Sequence, residues 1–135
     1  MQANADMEHG TGIVTLASPH TVKETADKLE SALRSKGVTI FARIDQQAEA
    51  KKAALEMNAM ELLIFGNPKA GTLLMEAEPL SGLDLPLKAL VWQDNDKKVW
   101  LSYNSFTYLQ QRFGLSDDVI KAVSGVEGLL KAAVL

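Results

Sequence analysis

One stretch constrains this chain more than any other: Met60-Glu61-Leu62-Leu63-Ile64-Phe65-Gly66-Asn67-Pro68-Lys69-Ala70-Gly71-Thr72. In an extended segment Leu62 and Ile64 point one way, and Leu63 and Phe65 the other. Apolar side chains on both faces predict a strand covered on both sides. Gly66 ends it. Asn67-Pro68 then reads as a helix start, with Asn at the cap and Pro at the first helical position, where its missing N–H costs nothing. A buried strand that hands over to a helix through such a turn needs other strands beside it and helices on its face.

A chain of 135 residues fits one domain. Its 47% apolar content is enough for a core without a disulfide or structural metal. Cysteine is absent, which removes thiolate metal sites and thiol nucleophiles. The net charge of -3 argues against a nucleic-acid partner, which needs a clustered basic face. No apolar run reaches about 18 residues, so no membrane span is expected. Residues 1–10 are polar and aperiodic and read as a disordered tail, leaving 11–135 as a single α+β domain. Ala3-Asn4-Ala5 has the small-x-small form of a signal-peptidase site, though no apolar segment precedes it. A trimmed signal would place the chain in the periplasm; a plain polar leader would leave the compartment open.

The remaining elements follow from local patterns. Ile13–Leu16 is a short strand. Thr21-x-x-Glu24 is a capping box for a helix whose stripe is Val22, Ala26, Leu29 and Leu33, stopped by Gly37. Val38, Ile40, Ala42 and Ile44 alternate as the apolar face of a strand, with Arg43 pointing the other way. Asp45 caps a thin surface helix over roughly 46–57, and the helix begun at Asn67 runs to about Ala77. Strands 87–93 and 98–103 form a hairpin through Asp94-Asn95-Asp96-Lys97, bringing Trp92 near Trp100. Ser105 or Asn104 caps a helix closed by Gly114, and Ser116 opens a last helix weakened by Gly125 and Gly128. Strict β/α alternation breaks at the hairpin, which favours α+β over a doubly wound fold.

Several chemistries are offered and refused. Gly66 to Thr72 lacks the Lys that must follow the second Gly of a phosphate loop. A weaker expectation survives, that Lys69 and the nearby helix N–H groups hold a small anion. Asp94-Asn95-Asp96 fails as a calcium loop, since its sixth and twelfth positions are Val99 and Ser105. His9 and His20 stand in no metal-ligand spacing, so neither metal nor cofactor is expected. No Gly-x-Ser-x-Gly elbow is present.

Phe41-Ala-Arg-Ile-Asp45, the Leu62–Thr72 stretch, Leu85-Pro-Leu-Lys-Ala-Leu-Val-Trp-Gln-Asp94 and Val99-Trp-Leu-Ser-Tyr-Asn104 together resemble the bacterial domain-of-unknown-function family 302. The resemblance runs from about Ile13 to Leu115. It implies a TATA-binding-protein-like fold: a curved, mainly antiparallel sheet of about five strands with helices packed on it, often as a homodimer. It implies no established activity, and it adds weight to an export signal. Where the family commonly has His after Ile-Asp, this chain has Gln46, which cannot carry a proton near neutral pH.

Two functional readings follow. The first is a non-catalytic small-ligand-binding or structural domain, homodimeric, with a small molecule or anion held by Asp45, Asn67, Lys69, Thr72, Tyr103 and Asn104 against Phe65, Trp92 or Trp100. The second is a small enzyme with Asp45 as base and Lys69 or Lys88 as electrostatic stabiliser. Convergence of Asp45, Lys69 and Tyr103 in one pocket would favour the second.

Overall fold

The computed structural model describes the backbone of residues 7–9 and the whole of 12–135. Along the chain run β1 (Met7–His9), β2 (Ile13–Ser18), α1 (Val22–Ser35), β3 (Thr39–Asp45), α2 (Gln46–Lys52), β4 (Met60–Gly66) and α3 (Pro68–Ala77). A short 3-10 turn at Pro79–Leu83 leads to β5 (Leu87–Gln93), β6 (Val99–Asn104), α4 (Phe106–Phe113), α5 (Asp117–Ser124) and α6 (Glu127–Ala132). The strands make one sheet in the order β1-β2-β6-β5-β4-β3, antiparallel at every pairing. This is the α+β fold expected. The leader contributes a strand at Met7–His9, while the rest of the expected tail, including Ala3-Asn4-Ala5, lies outside the described residues.

Helix α1 crosses the sheet between β2 and β3 and touches β3, β4, β5 and β6. Its buried side is Val22, Thr25, Ala26, Leu29 and Leu33, the expected stripe with Thr25 added. Both halves of its capping box form: Thr21 Oγ1 accepts from the Glu24 N–H at 3.1 Å, and Glu24 Oε1 accepts from the Thr21 N–H at 3.0 Å. Under α1 lie Leu63, Phe65, Ala89, Val91 and Leu101, all essentially without solvent exposure. Burying an apolar side chain of this size stabilises by about 1.5–3 kcal/mol. The sheet is therefore held chiefly by the face α1 covers.

β4 is an inner strand, flanked by β3 and β5, and it does feed a capped helix. The expectation that both its faces are covered is corrected. Glu61, Leu63 and Phe65 are buried, whereas Met60, Leu62 and Ile64 are half-buried. Their same-face neighbours Ala42, Ile44, Leu90, Trp92 and Trp100 are half-buried too. Apolar residues populate this second face, but among the described residues no element buries it.

β3 also departs from expectation. Its register against β4 shifts between Ile40 and Ala42. Ile40 pairs with Phe65 on the helix-covered face, while Ala42 and Ile44 pair with Ile64 and Leu62 on the opposite one. The single apolar face read from alternation is thus split by a bulge, which inserts an extra residue and re-aims its side chain. Arg43 turns under α1 as a result, and Phe41 is thrown out at 51% exposure.

Candidate functional site

The bulge, the end of β4 and the start of α3 meet at one end of the sheet. There the helices do not close fully over the strands. A cavity of about 490 Å³ remains. Val38, Phe65 and Leu87 form its floor, and Val123, Val126 and Leu129 from the C-terminal helices form its far wall. Asn67, Pro68, Ala70 and Gly71 bring in the first turn of α3. Phe41 and Met75, 51% and 40% exposed, also line the cavity. The charged side chains that line it are Lys36, which caps α1, and Lys121, in the last turn of α5. Neither makes a salt bridge or side-chain hydrogen bond among the described residues, and no Asp or Glu lines the cavity. Volume and lining match those of ligand pockets, which are mostly apolar and run to several hundred Å³.

Of the six candidate ligand residues, Asn67 lines this cavity. Its Oδ1 accepts from the Lys69 N–H at 2.9 Å, which uses up one of the helix N–H groups expected to hold an anion. Lys69 is exposed and is not part of the lining. Thr72 donates its hydroxyl to the Pro68 carbonyl at 2.6 Å. Asp45 sits at the far end of β3, paired with Glu61 rather than with Gly66, roughly 20 Å along the sheet from Asn67. There it caps α2, accepting from the Ala48 N–H at 2.9 Å. Tyr103 is buried in the core and donates its O–H to Glu127 at 2.7 Å; Asn104 is exposed at the end of β6. Asp45, Lys69 and Tyr103 do not converge. Among the described residues Lys88 reaches the Pro86 carbonyl, at 3.3 Å.

Of the three aromatics considered, Phe65 lines the cavity and the tryptophans do not. Trp92 and Trp100 are directly paired across the hairpin, with ring centroids 6.4 Å apart, on the uncovered face. Their indole N–H groups donate to Ser102 Oγ and Asp94 Oδ2, both at 2.9 Å. Asp94 also accepts from the N–H groups of Asp96 and Lys98, and with the Trp100 bond foremost these hold its carboxyl below the usual range. Its oxygens are thus committed to the turn. Among the described residues no group of three His, Cys, Asp or Glu side chains is arranged to hold a metal ion.

Sequence reasoning missed Lys36, Lys121, Phe41 and the helical wall. Phe41 had a signal: a large aromatic on the polar phase of an otherwise alternating strand. The lysines had none, because a cation near a helix C-terminus is ordinary.

An antiparallel sheet with helices on one face and an apolar cavity at their seam defines an α+β architecture. The sequence profile of the family described as "Domain of unknown function DUF302" matches residues 14–133, and the chain belongs to that family. A crystal structure of an uncharacterized conserved DUF302 protein from Bacillus stearothermophilus superposes with a TM-score of 0.75 at 20% identity, covering 93% of this chain and 97% of that one. It shares the fold. The chain is also 46% identical over 127 residues to proteins named fluoride-specific ion channel FluC 1 in Brucella suis biovar 1 (strain 1330) and Brucella abortus biovar 1 (strain 9-941). The match takes in 91% of this chain but 50% and 47% of those proteins, so the chain spans about half the length of these curated relatives.

Proposed function

We propose that this chain is a non-catalytic domain that binds a small, largely apolar ligand in the cavity between the end of β4, α3 and α5. The observation that carries this reading is the 490 Å³ apolar space that the chain's own side chains leave unfilled. That space is open to solvent on one side and lined mostly by apolar side chains, as small-molecule sites are. Scattered acids and lysines favour it over the enzyme reading, since acid–base chemistry needs its groups within hydrogen-bond reach of one another or of a shared substrate. Fluoride conduction belongs to relatives twice as long and forms no part of the proposal. A helical channel needs spans of about 20 apolar residues, and no described helix is long and apolar enough to cross a membrane.

The test is a thermal-shift screen of metabolite-sized amphiphiles, followed by amide chemical-shift mapping of any hit. A ligand at one hundred times its Kd adds about 2.7 kcal/mol of stability. Shifts are expected at Phe41, Gly66, Gly71 and Val126. Hits whose shifts cluster elsewhere would remove the reading.

A second proposal concerns assembly. The uncovered face, with Ile44, Leu62, Ile64, Leu90, Trp92 and Trp100 half-buried, supports a homodimer formed across it.

A further inference from the structure

We infer that the cavity takes a single-chain amphiphile with an anionic head, the chain lying over Phe65 and the head meeting Lys36 and Lys121. This rests on the ligand-binding reading above and specifies the class of ligand. Size comes first. At about 30 Å³, the liquid volume of one water and close to that of a methylene, 490 Å³ holds a chain of roughly ten carbons with slack. The floor and far wall are aliphatic and aromatic, and Phe41, Met75, Lys36 and Lys121 in the lining are exposed, so one end of a bound chain reaches water.

Charge decides which end group that is. The protein carries a net charge of -3, yet both charged residues of this lining are cationic. Helix dipoles favour a lysine at the end of α1 and another near the end of α5, each taken alone. They do not account for both lysines bordering one apolar cavity that has no acid in its lining. Neither ammonium is neutralised by a partner among the described residues, so an incoming anion does not have to break an existing pair. A carboxylate or phosphate head held half in water gains modestly from two exposed cations, and that gain declines with salt. The chain supplies most of the affinity, about fourfold per buried methylene.

The experiment uses the full chain and three matched probes, octanoate, octan-1-ol and octylammonium, each titrated with amide chemical-shift readout at low salt. Octanoate is expected to perturb Phe41, Gly71 and Val126 and to bind threefold to tenfold tighter than octan-1-ol, with octylammonium weakest. The double variant Lys36→Gln/Lys121→Gln should bring octanoate down to the octan-1-ol level and leave octan-1-ol unchanged. Both lysines are exposed, so folding is not at stake. If octan-1-ol or octylammonium binds in the cavity as tightly as octanoate, the anionic class is wrong and the cavity reading stands. If none of the probes perturbs these amides, the cavity reading itself falls. Gly125→Trp is the occupancy control: Gly125 is helical, nothing lies within 4 Å of its added Cβ, and the indole should block every probe.

Discussion

Arg43 shows how one side chain organises its surroundings. Its Nε donates to Glu61 at 2.6 Å, and its Nη1 donates to Asp27 at 2.8 Å and Glu30 at 3.1 Å. Glu61 is only 8% exposed, and Arg43 is the cation it pairs with. Arg43→Met should therefore destabilise by about 2–3 kcal/mol in urea unfolding, because it strands a buried carboxylate. Arg43→Met with Glu61→Leu should recover most of the loss, since an apolar pair of similar volume replaces an ion pair at little cost. The acids on α1 add a pH dependence. Hydrogen bonds from Lys23 and then Arg43 lower the pKa of Asp27; those from Arg34 and then Arg43 lower that of Glu30. Folded values below unfolded ones give stability that is complete above the ordinary carboxylate pKa of about 4 and is lost as pH falls through the folded values. The melting temperature should change little from these groups between pH 7 and 5 and drop below about pH 4. The drop should be shallower in Arg43→Met. An equal acid slope in both proteins would mean that the network is not responsible.

Helix ends make a sharper pair of predictions at the level of elements. Gly114 closes α4 at φ +63, a left-handed conformation that costs a side chain roughly 1–2 kcal/mol. Gly125 ends α5 at φ -61 with open space around it. Gly125→Ala should stabilise by about 0.4–1 kcal/mol through the unfolded chain, and Gly114→Ala should destabilise by about 1 kcal/mol. Calorimetry should see melting shifts of opposite sign, about 3 °C each; shifts of one sign would contradict the assigned backbone. These caps also mark what the sequence could disclose. Thr21, Asp45, Asn67, Ser105 and Ser116 all cap as expected, because a cap is settled within four residues. Where the outcome depended on a distant partner, local pattern failed. The bulge that sends Arg43 under α1 exists only against β4. Tyr103 is bonded in the core to Glu127, 24 residues away. The expected last helix divides at Gly125 into α5 and α6, and α2 stops at Lys52 rather than near 57. The cavity was legible only at Phe65 and the Asn67 turn, because its other wall comes from the far end of the chain.

At the scale of the molecule, the two proposals occupy opposite faces of one sheet. Phe65 and Leu87 face the cavity and the helices; Leu62, Ile64, Leu90, Trp92 and Trp100 face the other way. A sheet with apolar residues on both faces and helices on one leaves a surface that water wets at a cost of about 25 cal/mol per Å² of apolar area. A second copy is the occupant that needs no further component, since a two-fold contact sets the same patch against itself. Near the middle of that patch Leu90 stands between Leu62 and Ser102, half-buried in the isolated chain. Leu90→Glu places a charge where a dimer would desolvate it but where a monomer leaves it in contact with water. Light scattering on the parent chain at tens of micromolar should give twice 14.7 kDa, and Leu90→Glu should give 14.7 kDa with little loss of helicity. A parent chain that runs as a monomer would end the dimer proposal. Because the faces are separate, the monomeric variant should still bind octanoate within about twofold of the parent. Loss of binding together with dimerisation would mean that the cavity is completed by the second copy, and its wall would then have to be sought across the interface.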